Sequence, residues 1–269
     1  MSKLKKQKKY LIKKKANKPF FSVITVVKNA EKNIIKTLES IKKQTFKNFE
    51  YIVVDGFSKD KTIPNLLKFK KNINCLISSK DKGIYFAMNK GVELAAGKVI
   101  VFVNAGDEIT RNALKIIHKK FQKKPFLDFV FGTVKRHYVG TSILKYGYDK
   151  NRLKYNFDFA TAHSTGFFIK KKSMKIAGKY NTNFNCSADY DLFYRVIINL
   201  NMKGDFTSKR DLIGIFSSGG FSSKVGFFNQ LIEQTKIRIH NKQNFLFILI
   251  IFINAIFKHS IKTLTKKIS

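Results

Sequence analysis

One stretch constrains the fold of this chain more than any other: Val99-Ile100-Val101-Phe102-Val103 runs directly into Asn104-Ala105-Gly106-Asp107-Glu108. Consecutive apolar residues, mostly β-branched, fit a central parallel strand covered on both faces. The run stops abruptly in a polar turn carrying two carboxylates. Parallel α/β sheets bind ligands at the carboxyl ends of their strands, so an acidic turn there is well placed to hold a metal ion. Asp107 offers the hard oxygen that Mg²⁺ or Mn²⁺ prefers, and such ions usually bridge one or two carboxylates to substrate phosphates. The same residues also suit a strand-to-helix turn in which Asp107 or Thr110 caps a helix starting near Arg111. On this segment alone both readings stay open.

The surrounding sequence repeats the theme. Expected strands at 20–27, 49–54, 73–78 and 99–103 alternate with helices at 31–43, 63–69 and 84–95. In the first helix Ile34, Ile35, Leu38 and Ile41 recur at helical spacing. Such alternation argues for an α/β fold with a doubly wound, mainly parallel sheet flanked by helices. Polar clusters at Lys28-Asn29, at 55–60 and at 104–108 each follow a strand's carboxyl end, so they gather on one edge, where a nucleotide is expected. Further on, the pattern predicts a helix over 112–121, strands over 128–134 and 166–169, and a helix over 188–200. Residues 136–159, rich in Tyr, Lys and Asn without a clear period, read as a partly irregular loop lining a site.

Composition bounds the partners. The chain has 269 residues, 44% of them hydrophobic, enough for a substantial core. Its net charge of +36 reflects 53 basic against only 17 acidic residues. A surface this basic is drawn to polyanions such as acidic lipid headgroups, lipid-linked diphosphates or nucleic acid. Residues 1–18 hold nine lysines and no apolar run, so they read as a disordered basic tail and not as a signal peptide. Cys75 and Cys186 form no zinc or redox spacing, which fits a reducing cytoplasm. Residues 245–257 are apolar apart from Asn254 and are flanked by lysines and histidines. That run is too short to span a bilayer, which takes roughly 20 residues. It fits a helix dipping into the headgroup region of an anionic membrane, or one packed on the protein's own core. The expected organisation is a tail at 1–18, a main domain at 19–225, and C-terminal helices at 226–269 able to associate with a membrane.

There is no P-loop, no G-x-G-x-x-G after the first strand, no G-x-S-x-G and no zinc-ligand pattern. What is present comes in order. Ser22-Val23-Ile24-Thr25-Val26-Val27-Lys28-Asn29-Ala30 is followed by Thr37-Leu38-Glu39-Ser40-Ile41-Lys42-Lys43-Gln44-Thr45-Phe46. Next come Tyr51-Ile52-Val53-Val54-Asp55-Gly56-Phe57-Ser58-Lys59-Asp60 and Asp81-Lys82-Gly83-Ile84-Tyr85-Phe86-Ala87-Met88-Asn89-Lys90-Gly91. The turn at 104–108 and Ala188-Asp189-Tyr190-Asp191-Leu192-Phe193-Tyr194-Arg195 complete the set. Together these resemble the family 2 glycosyltransferases, inverting enzymes of the GT-A fold, and in particular bacterial members that build surface polysaccharides. The resemblance extends from about residue 20 to residue 223.

The resemblance implies roles. Asp107 would be the direct ligand of Mg²⁺ or Mn²⁺, with Asn104 shaping the same turn on the donor side. The family often has a carboxylate where Gly106 stands; here Glu108 is the nearest helper. Asp55 corresponds to the family's nucleoside contact, while Asp81 and Asn89 match the segment lining the donor pocket. Asp189 would be the general base that takes the proton from the attacking sugar hydroxyl. Read without the resemblance, Asp189 is an N-cap candidate, with Ser187 competing for that job. His163 and Asp191 are candidates on the acceptor side. The implied partners are a nucleotide-sugar donor, with UDP-sugar favoured, and a saccharide acceptor, lipid-linked at the inner face of a bacterial cytoplasmic membrane. Two rivals are disfavoured. A sugar-nucleotide pyrophosphorylase would show a Gly-rich, Arg-containing loop where Lys28-Asn29-Ala30 stands. A nucleic-acid-binding protein would interleave exposed aromatics with its charge, whereas most of the 27 Phe lie in apolar runs, so no nucleic acid is expected.

Overall fold

The computed structural model describes residues 9–14, 17–138, 140–155, 163–217 and 225–268. The first half runs through β1 (Lys9–Lys13), β2 (Phe21–Val27), α1 (Ile34–Lys42), β3 (Phe49–Asp55), α2 (Thr62–Lys68), β4 (Cys75–Ser78), α3 (Ile84–Leu94) and β5 (Val99–Phe102). Then follow β6 (Glu108–Ile109), α4 (Ala113–Lys123), β7 (Phe129–Phe131), β8 (Thr133–Tyr138), β9 (Thr141–Lys145) and α5 (Lys150–Tyr155). The remainder comprises β10 (Phe167–Lys170), α6 (Lys171–Ala177), α7 (Ala188–Tyr194), β11 (Gly204–Phe206), β12 (Leu212–Ser217), α8 (Phe227–His240) and α9 (Phe245–Ile268).

Eight strands form one sheet in the order β1-β4-β3-β2-β5-β10-β7-β11. The strands β4, β3, β2 and β5 are mutually parallel, while β10 runs against both β5 and β7. From β2 the chain first winds outward through β3 and β4, then returns to place β5 on the other side of β2. That reversal opens a crevice at the carboxyl ends of β2 and β5, the usual ligand position in such sheets.

Period-two alternation buries both faces. Ile24 and Val26 of β2 join Ile52, Val54, Ile100 and Phe102 in one core layer with α3 and α7. Val23, Tyr51, Val53, Val99 and Val101 point the other way, against α1, α2 and α4. Ile24 is completely buried, and burying a side chain of that size contributes about 1.5–3 kcal/mol. Thr25 is tolerated in this core because its hydroxyl donates to the Val103 carbonyl at 2.6 Å and accepts from Tyr51 Oη at 2.9 Å.

Three sequence expectations are corrected. The tail reading of 1–18 fails for Lys9–Lys13, which add an antiparallel edge strand to β4; residues 1–8 lie outside the described ones. The expected strand 128–134 is two strands in different sheets. Gly132 marks the switch, because a Cβ there would come within 2.7 Å of Ile213. The supposed irregular loop at 136–159 contains the β8–β9 hairpin and α5; residues 156–162 lie outside the described ones. The hairpin belongs to a second sheet of order β6-β12-β8-β9, which stands beside the crevice. Its register was hidden because Lys135, Arg136, His137 and Tyr138 break the apolar alternation.

The C-terminal segment forms two helices. The α8 helix is built into the domain, with Leu231, Ile237 and Arg238 buried. In α9, Ile248 and Ile251 are buried, whereas Leu246, Leu249, Ile250, Ile253 and Phe257 are exposed. Among the described residues no helix is long and apolar enough to cross a membrane.

Candidate active site

The crevice between β2 and β5 opens into a cavity of about 700 Å³. One wall comes from the end of β2 (Lys28) and the turn into α3 (Asp81, Tyr85). The floor is the turn after β5, with Asn104 and Asp107. Arg136, Lys145 and Phe216 of the second sheet also line it, together with His163 and Ser164. Cys186 and Asp189 close the remaining side.

The floor turn is pinned from α1. The Thr37 hydroxyl donates to the Asp107 carbonyl at 2.7 Å and accepts from the Gly106 N–H at 2.9 Å. Gly106 has φ +99, a conformation that disfavours a side chain. Asp107 is buried, and its Oδ2 accepts from the Thr165 hydroxyl at 2.7 Å. Burial pushes its carboxyl up to about 7, against the pull of Thr165 and Lys36. The capping alternative fails. The α4 helix starts at Ala113 after Asn112, and the Thr110 hydroxyl donates to the Leu212 carbonyl. Asn104 donates to Ser164 Oγ at 3.1 Å, and its Oδ1 is buried without a partner among the described residues. Glu108 faces Lys36 at 3.9 Å and does not line the cavity, so it is no helper to Asp107.

Asp189 sits in the first turn of α7. Ser187 occupies the N-cap position of this helix without a side-chain capping bond. Asp189 Oδ1 accepts from the Tyr190 N–H at 2.9 Å, and Tyr85 Oη lies 3.5 Å away. Burial raises the carboxyl to about 6; the Tyr190 N–H and Tyr85 pull it back, and the charge of Glu233 adds to the rise. A carboxylate tuned to that range is ionised at neutral pH yet retains a useful affinity for a proton. Asp81 also lines the cavity, with its carboxyl raised by burial. A Cβ at Gly56 would come within 2.7 Å of Asp81 Oδ2, so the glycine leaves room for that carboxylate.

Three expected site residues do not line the cavity and are engaged by neighbouring protein groups. Asp55 is fully buried and accepts from the Ser58 N–H, from Ser58 Oγ at 2.5 Å and from Ser78 Oγ at 2.6 Å. It ties the end of β3 to β4 and does not line the cavity. Asn89 exchanges two hydrogen bonds with the Tyr180 backbone, at 2.9 and 2.8 Å, and so anchors the segment leading to α7. Asp191 is buried, ion-paired to Arg195 at 2.9 Å and bonded to Asn241 Nδ2 at 2.9 Å. That makes it a link between α7 and α8. His163 does reach the cavity, stacked on Phe216 with ring centroids 3.7 Å apart. Burial, reinforced by Arg136, drives its imidazole down to about 3, so it is neutral at physiological pH.

Sequence reasoning missed Arg136, Thr165 and Glu233. Glu233, on α8, accepts from the Asn185 N–H at 2.5 Å and from the Cys186 N–H and Sγ at 2.8 Å each. It thereby holds the turn that carries Asp189. No motif marks it, since it lies beyond the expected domain boundary. Among the described residues no group of three acidic, His or Cys side chains forms a ready metal cage. The arrangement suits a cation held by one carboxylate and completed by a ligand's phosphates, the usual habit of Mg²⁺. The orphaned Asn104 Oδ1 and the raised Asp107 carboxyl both fit such an ion.

Comparison with known proteins shows the family and the fold. The "Glycosyl transferase family 2" model matches residues 22–193. A "PGL/p-HBAD biosynthesis glycosyltransferase" of Mycobacterium tuberculosis is 28% identical over 187 residues, covering 67% of this chain and 71% of that protein. Among solved structures, S. aureus TarS 1–349 in complex with UDP-GlcNAc aligns with a TM-score of 0.66 at 19% identity, covering 81% of this chain and 65% of that one. The present chain spans 39% of a longer TarS structure. Mannosyltransferase PcManGT from Pyrobaculum calidifontis, in complex with GDP-Man and Mn²⁺, aligns at 0.64 with 14% identity, covering 88% of this chain and 68% of that one. These likenesses identify the architecture as the GT-A fold. With the family model matching most of its length, the chain belongs to glycosyltransferase family 2.

Proposed function

We propose that this glycosyltransferase moves a sugar from a nucleoside-diphosphate donor to a saccharide hydroxyl with inversion at the anomeric carbon. The observation that carries the reading is the pair Asp107 and Asp189, which reach one cavity from different elements, both with raised carboxyls. Asp189 takes the proton from the attacking hydroxyl while Tyr85 and the Tyr190 N–H hold its orientation. A single in-line displacement inverts the centre, so no covalent sugar–protein intermediate is needed. Asp107 and Asn104 would hold Mg²⁺ or Mn²⁺, which when bound supplies charge to neutralise the departing diphosphate. Asp81 and Lys28 line the donor wall. UDP is the favoured nucleotide because TarS 1–349 is described with UDP-GlcNAc; the GDP-Man of PcManGT keeps guanosine as the second reading.

The acceptor we propose is lipid-linked, at the inner face of a bacterial cytoplasmic membrane, in the synthesis of a surface polysaccharide. The exposed apolar stripe of α9 and the charge of +36 support a protein that lies on an anionic bilayer without crossing it. Thermal-shift titration with UDP, GDP, CMP and dTDP, with and without Mn²⁺, tests the donor assignment. A ligand that binds only the native state raises its apparent stability. UDP with Mn²⁺ should give the largest shift; no shift with any of the four would reject the reading.

A further inference from the structure

Arg136 lines the cleft and is half-buried, yet it serves no evident structural purpose. The chain's other buried guanidinium groups are engaged by protein acceptors. Arg195 pairs with Asp191, and Arg238 donates to the carbonyls of Leu153 and Lys154. Arg136 has neither kind of partner among the described residues, and its Nε–H is buried with no acceptor. Its guanidinium carbon instead lies 4.7 Å from the Tyr138 ring centroid and 5.8 Å from that of Phe216. Aromatic packing fixes the plane of the fork while leaving its donors unused. Five N–H groups in that geometry match a phosphate or carboxylate in bidentate fashion.

Its position points to the acceptor. Arg136 comes from β8 of the second sheet, whereas Lys28 and Asp81 come from the end of β2 and the turn before α3; all three line one cavity, and the register partner of Arg136 on β12 is Phe216. Phe216 carries the stacked His163. Since that imidazole is neutral, Arg136 brings a permanent positive charge to this wall.

We propose that Arg136 is an anion-recognition residue on the acceptor side of the cleft, binding a phosphate group of the acceptor and favouring phosphate-bearing acceptors over neutral saccharides. The proposal rests on the glycosyltransferase reading above. The same fork would suit the donor's diphosphate, so the test separates the two sources.

Inorganic phosphate is titrated by calorimetry into the wild type, Arg136→Gln and Arg136→Lys, each with and without saturating UDP and Mg²⁺. Phosphate should bind the UDP-saturated wild type. The Gln variant should bind it about tenfold more weakly or worse, with Lys intermediate because it keeps the charge without the fork. UDP affinity should stay within about twofold in both variants, as befits a group off the donor site. The melting temperature of Arg136→Gln should fall only slightly, since no protein hydrogen bond is lost and only the ring contacts with Tyr138 and Phe216 go. Loss of phosphate binding once UDP is present, or a parallel loss of UDP affinity, would assign the contact to the donor and overturn the proposal. Unchanged phosphate affinity in Arg136→Gln would overturn it too, with a large fall in melting temperature then marking a packing role. If UDP fails to bind the wild type, the donor reading fails instead, and the UDP-free titrations still judge Arg136.

Discussion

The Thr165 hydroxyl donates to Asp107 Oδ2 at 2.7 Å, joining the turn before β10 to the turn that lines the cavity. This bond favours the ionised carboxylate, which burial otherwise disfavours. Thr165→Val should therefore raise the Asp107 carboxyl further above about 7. Because a divalent cation needs the carboxylate, Mn²⁺-dependent UDP binding by the variant should weaken at pH 7 and recover near pH 8.5. Equal affinity of variant and wild type across that range would show the bond to be irrelevant to the cation.

The same burial makes a stability prediction for the metal-free protein. A folded carboxyl at about 7 lies above its unfolded value, so folding takes up a proton. The associated stability is present at low pH and is lost as pH rises through about 7. Asp107→Asn should remove that loss and raise stability at pH 8 in EDTA, by up to about 4 kcal/mol. It should also abolish the Mn²⁺-dependent shift by UDP. A variant less stable than wild type at pH 8 would contradict the assigned environment.

Glu233 grips the turn before α7 through three donors, two on the backbone and one on Cys186. Losing its charge should release that turn and remove an anion that raises Asp189. For Glu233→Gln we expect a destabilisation of about 1.5–3 kcal/mol. The acid limb of the transfer rate should move to lower pH, while UDP affinity stays near normal. An unaltered acid limb would leave Glu233 with a purely structural role.

The α9 stripe should contact lipid. Replacing the exposed Leu246, Ile250 and Ile253 with Ser should weaken co-sedimentation with anionic vesicles at every salt concentration, because it removes apolar burial. Raising salt should weaken the wild type only in part, by screening the basic flanks. A folded wild type that stays in the supernatant at low salt would rule out the membrane assignment.

Much of the donor half was legible because its chemistry is local. A buried run ending in a polar turn gave β5 and Asp107, and strand–helix alternation gave the doubly wound, mainly parallel sheet. Asp189 was legible through an ordered motif. What stayed hidden depends on contacts distant in sequence. Asp55 and Asn89 sit in donor-site motifs, yet their side chains are bonded to Ser58, Ser78 and the Tyr180 backbone. Asp191 follows Asp189 by two residues and faces the interior, where Arg195 and Asn241 await it. Arg136 lay in a segment whose polar strand residues mask the sheet period, and Glu233 reaches back 47 residues to Cys186.

The central claim is that Asp189 is the proton acceptor in transfer. The direct measurement is the single-turnover rate of Asp189→Asn against wild type, with UDP affinity determined in parallel and wild-type rates followed from pH 5 to 8. The account predicts a fall in rate of roughly 10²–10⁴-fold, the usual contribution of a positioned base, with donor affinity unchanged. The wild-type rate should rise with pH through about 6 and then level off, as Asp189 ionises. A variant that transfers sugar at the wild-type rate would contradict the account.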